Sequence, residues 1–280
     1  MSSSTAEAVY ADLHTHTSCS DGAQGPSSLM ADADARGIQV LAVTDHDTVA
    51  GVAEAQEAAH ARGRECIAGI ELSATLEQDE VHLLAYGIDP MHNALQDHLQ
   101  WMREARRRRA WQMVEHLRDH GLTVPDEALE TQLDDTEAVG RPHVAAALVE
   151  MGHVDTVRQA FEQYLGKEGP GFVAKPTVAA GDVLDLVHRV GGVGVLAHPG
   201  DWMSGRQIRQ LVEVGLDGIE VYHPSHRSSL AEYYRRLADG YDLLVTGGSD
   251  YHGRRESDDT HFGTVGLSKA EWERFRAAVA

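Results

Sequence analysis

Cysteine is scarce in this 280-residue chain, with only Cys19 in a polar stretch and Cys66 in an apolar one. Two are too few for a disulfide framework and fit a reducing compartment. Lysine is nearly as rare, at positions 167, 175 and 269. With arginine it supplies 24 positive charges against 44 acidic residues, a net charge of −20. Such a field opposes binding of a polyanion over a broad surface, so an anionic substrate would need a local reversal of sign. Long apolar runs are missing as well. Nowhere do eighteen uncharged apolar residues follow one another, and residues 1–7 have no basic segment leading into an apolar one. Secretion and membrane insertion are therefore not expected, and the cytoplasm is the expected location. What the chain does hold is histidine, seventeen in all, and metal ions bound by histidines would provide the missing positive charge.

A hydrophobic content of 42% supports a proper core, and the length suits one α/β barrel or two ordinary domains. Seven short apolar runs read as strands, at 9–13, 40–43, 66–70, 81–88, 193–197, 219–222 and 243–246. Helical stretches at 27–36, 49–62, 207–214, 228–238 and 269–279 follow several of them, with Gly37, Gly63, Gly215 and Gly240 placed as stops. This alternation predicts a parallel sheet or barrel. Between residues 88 and 193 the rhythm breaks, and only 171–174 resembles a strand. The expected organisation is a barrel from 1–98 and 177–280, interrupted by a mainly helical insertion at 99–176. Within it, residues 101–117 read as a helix that buries Ala105, Trp111, Val114 and Leu117. Arginines 106–109 then read as its largely solvated face.

The residues that carry chemistry sit at the ends of the predicted strands. His14 and His16 close the first strand, and the alternation of side chains points them the same way, as two ligands of one metal require. Asp21 lies in the next turn and His46 follows the second strand. Glu71 closes the third, His198 follows the fifth, and Asp250 and His252 follow the seventh. In a β/α barrel those ends converge on one face, where active sites are built. His82 fits this pattern least, because it lies early in its run. Six imidazoles and three carboxylates without a thiolate suit manganese, iron or zinc, with manganese the first choice.

The segments HTHTSCSDG, TDHDT, GIELS, LAHPG and GSDYHG, with the His82 segment, resemble in order the motifs of the PHP (polymerase and histidinol phosphatase) family. The resemblance covers about 9–90 and 190–265 and leaves the insertion outside. It implies an α/β fold, a distorted (β/α)7 barrel, with up to three divalent metals. By that similarity His14, His16, Glu71 and Asp250 hold one metal, Asp21, His46 and His252 a second, and Glu71 bridges to a third completed by His82 and His198. The amidohydrolase type of binuclear barrel also opens on His-x-His, but many members bridge their metals with a lysine, and none of the three lysines lies on the strand that would supply one. A cysteine-phosphatase loop would need an arginine where Gly25 stands, so Cys19 reads as a loop residue.

Such a cluster hydrolyses phosphate esters without a protein nucleophile, so the remaining candidates are a proton donor and phosphate clamps. His223, after the sixth strand, is the candidate catalytic donor, while Arg141, His143 and Lys175 are candidates for holding a second phosphate. The GRPH and AKP segments are similar to the PHP subgroup that removes the 3′-phosphate of nucleoside 3′,5′-bisphosphates, some members of which resemble 5′-to-3′ exonucleases on short RNA. The expected partners are thus a small nucleotide or short RNA. Histidinol-phosphate phosphatase is the runner-up. A catalytically silent binding module is the non-enzyme alternative, and it would be expected to lack ligands that are all present here.

Overall fold

The computed structural model describes residues 9–133 and 139–279. Residues 1–7, read above for a targeting signal, lie outside them. Seven strands form one sheet in sequential order: β1 (Ala11–Thr15), β2 (Val40–Val43), β3 (Glu65–Leu76), β4 (Asp79–Tyr86), β5 (Val193–Leu196), β6 (Gly218–Tyr222) and β7 (Leu244–Gly247). The sheet curls into a nearly closed barrel. Where its edges meet, the Ser249 N–H donates to the Asp12 carboxylate at 3.0 Å and the His16 N–H to the Tyr251 carbonyl at 2.9 Å.

The sheet is not fully parallel. β4 runs antiparallel to both β3 and β5, because residues 77–78 join β3 to β4 in a hairpin too short for a crossover helix. The turn contains no glycine or asparagine and carries Glu77 at φ +57°, so nothing in its composition announces a hairpin. The reversal also accounts for His82. In an antiparallel strand the early residues lie at the barrel end where the parallel strands finish, and His82 pairs with Ser73, just beyond Glu71.

Helices α1 (Pro26–Ala35) and α2 (Val52–His60) cover β2. Leu41 and Val43 face Leu29, Met30, Ala55 and Ala59, while Val40 and Ala42 join the opposite cluster with Ala11, Leu13 and Tyr86. Burial on both sides explains why β2 is apolar throughout. Gly37, Gly63 and Gly215 take positive φ beyond their helices, but Gly240 lies within a helix (Ser228–Tyr241). There the left-handed cap is Asp242, at φ +55°.

The chain divides into two compact units, one of Met1–Gln96 with Thr177–Ala280 and one of Asp97–Pro176. The second contains most of α3 (Asn93–Asp119), then α4 (Asp126–Leu133), α5 (Arg141–Glu150), α6 (Val157–Ala160) and a π-helical turn over Phe161–Leu165. Its core gathers Val114, Leu117, Leu129, Leu133, Leu148 and Leu165. Two expectations fail here. Residues 171–174 form no strand, and Arg109 is not solvated. Arg109 is buried, because the helical period sets it on one stripe with Met102, Ala105 and Met113, and its Nε donates to the Val173 carbonyl at 2.9 Å. No helix among the described residues is long and apolar enough to cross a membrane.

Candidate metal centre

β1 delivers His14 and His16 to the barrel end, both fully buried. Glu71, equally buried, faces them from β3. Its two oxygens meet different imidazoles. Oε2 lies 3.4 Å from His14 Nε2, 3.2 Å from His16 Nε2 and 3.1 Å from His46 Nδ1. Oε1 lies 2.8 Å from His82 Nδ1 and 2.9 Å from His198 Nε2. Asp250 Oδ1 sits 3.3 Å from His14 and 3.2 Å from His16, and Asp21 Oδ1 lies 3.2 Å from His252 Nε2. All nine side chains singled out in the sequence thus converge. Their donor atoms form four overlapping sets, each within 4.8 Å: His16, Asp21, His46 and His252; His14, His16 and Asp250; His14, Glu71 and His198; His46, Glu71 and His82.

The backbone is bent to achieve this. Asp47, His198 and Asp250, each just past a strand, adopt φ of +50°, +25° and +50°. Such conformations cost roughly 1–3 kcal/mol each and persist where surroundings over-determine them. Gly248 allows β7 to approach β1, since a Cβ there would lie 2.4 Å from both the backbone nitrogen and the Cβ of His14. Gly248→Ala is expected to cost about 1–3 kcal/mol, a fall of several degrees in Tm by thermal unfolding. An unchanged Tm would show that the two strands part without penalty.

Charge balance within the cluster is uneven. Burial works against ionised Glu71, but His46, His82 and His14 outweigh it and hold its pKa well below the usual carboxylate value. Asp250 is depressed similarly, burial being overcome by His14, His16 and His223. Burial also opposes a charged His16, yet Asp250 and Glu71 raise it to about 9. For His46 burial prevails over Glu71, and its pKa falls to about 4. The residues fit divalent cations on a separate ground. Both ring nitrogens of His16 are buried without a hydrogen-bond partner, for although Nε2 lies 3.2 Å from two carboxylate oxygens, the alignment is not that of a hydrogen bond. An orphaned, buried imidazole is costly unless a lone pair is given to something else, and a metal ion is such a partner.

Several contributors escaped the sequence reading. Glu220, in the middle of β6 and fully buried, accepts from His14 Nδ1 at 2.9 Å and from the His198 N–H at 2.7 Å. Its signal was a lone acidic residue inside an apolar strand. Asp45 accepts from the Thr17 N–H at 2.7 Å and Asp47 from the Ser73 N–H at 2.8 Å, so the acids flanking His46 tie strand exits together. The Arg254 guanidinium donates to the carbonyls of Asp21 and Gly22, joining the two loops that carry Asp21 and His252.

His223 lies beside the cluster, its Nε2 3.4 Å from Asp250 Oδ2 and its Nδ1 2.8 Å from Ser225 Oγ. It lines a cavity of about 500 Å3 together with Asp250, His252, Arg254 and Arg255. Arg141, His143 and Lys175 belong to the second unit. There the Arg141 guanidinium lies over the rings of Phe161 and Phe172, 5.4 and 5.9 Å from their centroids, and donates to the Leu165 carbonyl at 3.3 Å. His143 Nδ1 accepts from the Gly140 N–H at 3.1 Å, closing the first turn of α5, and burial lowers its pKa.

A buried histidine–carboxylate cluster at the strand exits of such a barrel defines a metal-dependent hydrolase. The PHP domain family matches residues 12–165. The chain is 36% identical over 246 residues to a 3′,5′-nucleoside bisphosphate phosphatase of Chromobacterium violaceum, covering 86% of each chain. It is 34% identical to the 5′-3′ exoribonuclease Rnm of Escherichia coli K12, covering 89% of this chain and 87% of that one. Among solved structures, a protein of Bifidobacterium adolescentis assigned as a metal-dependent phosphoesterase superposes with a TM-score of 0.76 at 35% identity, covering 88% of each chain. The chain belongs to the PHP family and is a phosphoesterase that binds divalent metal.

Proposed function

We propose that the protein removes the 3′-phosphate from nucleoside 3′,5′-bisphosphates, releasing a nucleoside 5′-monophosphate and phosphate, with short RNA as a second substrate degraded from its 5′ end. The observation that carries this reading is Glu71, whose two oxygens face separate sets of histidines as a carboxylate shared between cations must. The bisphosphate phosphatase and exoribonuclease relatives support the nucleotide as substrate. His14, His16, Glu71 and Asp250 would hold one cation, Asp21, His46 and His252 a second, and Glu71, His82 and His198 a third. Manganese is favoured over iron or zinc for this nitrogen and oxygen donor set. Bound there, the cations supply Lewis acidity, bringing the pKa of water to about 7 and neutralising phosphoryl oxygens.

The remaining work falls to side chains. As water attacks phosphorus in line, the P–O bond to the sugar would break, and His223, which lines the cavity beside Asp250 and His252, is our candidate to give a proton to the departing 3′-oxygen. Arg141, His143 and Lys175 would hold the second phosphate, and binding energy there accelerates reaction only if it orients the reacting ester. A panel of phosphate esters with manganese-loaded enzyme tests this. The 3′,5′-bisphosphate should be turned over far faster than the 3′- or 5′-monophosphate. Arg141→Ala or Lys175→Ala should lower kcat/KM on it by about ten-fold, through the ~1.5 kcal/mol of one charged hydrogen bond, while sparing an aryl phosphate. Equal losses on both substrates would show that these residues support the fold.

A further inference from the structure

A second cavity, of about 310 Å3, opens beside the cluster and is lined by both His82 and His198. Its volume is in the range of small-ligand sites, roughly 300–1,000 Å3. Val81, Leu196 and Ala197 give it apolar lining, and so does Trp202, a residue 49% exposed. A tryptophan left this exposed presents a substantial apolar surface to water, and exposed aromatics beside a polar centre commonly meet a ligand.

The segment bearing Trp202 is firmly anchored. The His198 N–H is held by Glu220, the Gly200 N–H donates to His226 Nε2 at 3.1 Å, and the Gly200 carbonyl accepts from the Tyr234 hydroxyl. On the other side Met203 is buried and Ser204 caps the helix Gly205–Glu213. Between these anchors the indole edge rests on Gly200, where a Cβ would meet Cδ1 at 2.9 Å and Nε1 at 3.1 Å. Gly200 has φ +58°, so a side chain is disfavoured there on both counts. The backbone that carries the ring is therefore held before any ligand arrives, with the indole edge against Gly200, and an aromatic side chain on a fixed segment has little freedom to lose on binding.

We propose that Trp202 is the stacking platform for the substrate's nucleobase, so that a nucleotide whose phosphate meets the histidine–carboxylate centre lays its base against this indole. The inference rests on the nucleotide reading above. It specifies the chemistry of recognition: the π-face of any base suffices, so purines and pyrimidines are both accepted, purines more tightly through their larger face.

The test compares Trp202→Ala and Trp202→Phe with the unmodified, metal-loaded enzyme. For a nucleoside 3′,5′-bisphosphate, KM should rise roughly ten-fold in the alanine variant and less in the phenylalanine variant, with kcat little changed. For glycerol phosphate, which has no base, neither constant should move. A readout independent of turnover is indole emission during titration with a nucleoside 5′-monophosphate, whose quenching should be lost in Trp202→Phe. Quenching retained in that variant, or KM rising equally for both substrates, overturns the platform. Quenching that depends on Trp202 in an enzyme that leaves the bisphosphate intact would instead uphold the platform and refute the substrate assignment.

Discussion

Glu71→Ala is expected to abolish phosphate-ester hydrolysis and strip the protein of most of its metal, a larger loss than any other single change. The carboxylate is fully buried among five histidines, with one oxygen toward His82 and His198 and the other toward His14, His16 and His46. Removing it leaves these imidazoles facing one another without the anion that offsets cations held between them. Loss of an outer carboxylate typically costs ~10–100-fold in metal affinity, and a carboxylate that itself ligates should exceed that. Glu71→Gln separates charge from shape, because the amide fills the same space but carries no charge, and it should also lose metal. Elemental analysis of purified protein gives metal per chain, and kcat/KM gives the activity. Circular dichroism confirms that the barrel persists. Full metal content with near-normal turnover in either variant would sink the assignment of Glu71 as a shared ligand.

The barrel end was legible because its chemistry lies in short motifs, each attached to an apolar run that reads as a strand. Period-two alternation set His14 and His16 on one side, and the strand-exit rule for parallel barrels carried His46, His198, Asp250 and His252 to the same place, whereas Glu71, read as closing its strand, lies within β3, which runs on to Leu76. What could not be read was the direction of β4, since strand polarity is decided by the length of the preceding connection and the turn at 77–78 has none of the residues that mark a hairpin. His82 looked misplaced for that reason alone. Arg109 was misjudged because four consecutive arginines suggest a solvated face, whereas the period of α3 turns one of them inward to the Val173 carbonyl. Glu220 was missed because burial of an acid depends on partners brought by distant strands, and those partners, His14 and the His198 N–H, are 206 and 22 residues away.

Glu220→Ala should then lower metal affinity by up to ~100-fold, although Glu220 is absent from every donor set. Its carboxylate selects the His14 tautomer, because accepting from Nδ1 keeps the proton of the neutral ring there, so that Nε2, the nitrogen facing Glu71 and Asp250, is the one that can give up its proton and ligate when a cation binds. The same carboxylate holds the His198 N–H, so one side chain orients ligands from two strand exits. Glu220→Gln keeps an oxygen acceptor and loses the charge, and it should retain more affinity than alanine does. The pH dependence follows from the sign of the shift. Burial opposes ionisation of Glu220, but His14 overcomes it and lowers the pKa beneath its ordinary 4.5. A depressed folded-state pKa contributes stability above the unfolded value that is lost as pH falls through the folded one. Metal-free wild-type protein should therefore lose thermal stability below about pH 4.5 more steeply than Glu220→Gln does. Competition with a chelator measures the affinities. Equal affinity in wild type, glutamine and alanine forms would mean that His14 needs no partner at Nδ1, and that the buried carboxylate serves only to join β6 to its neighbours.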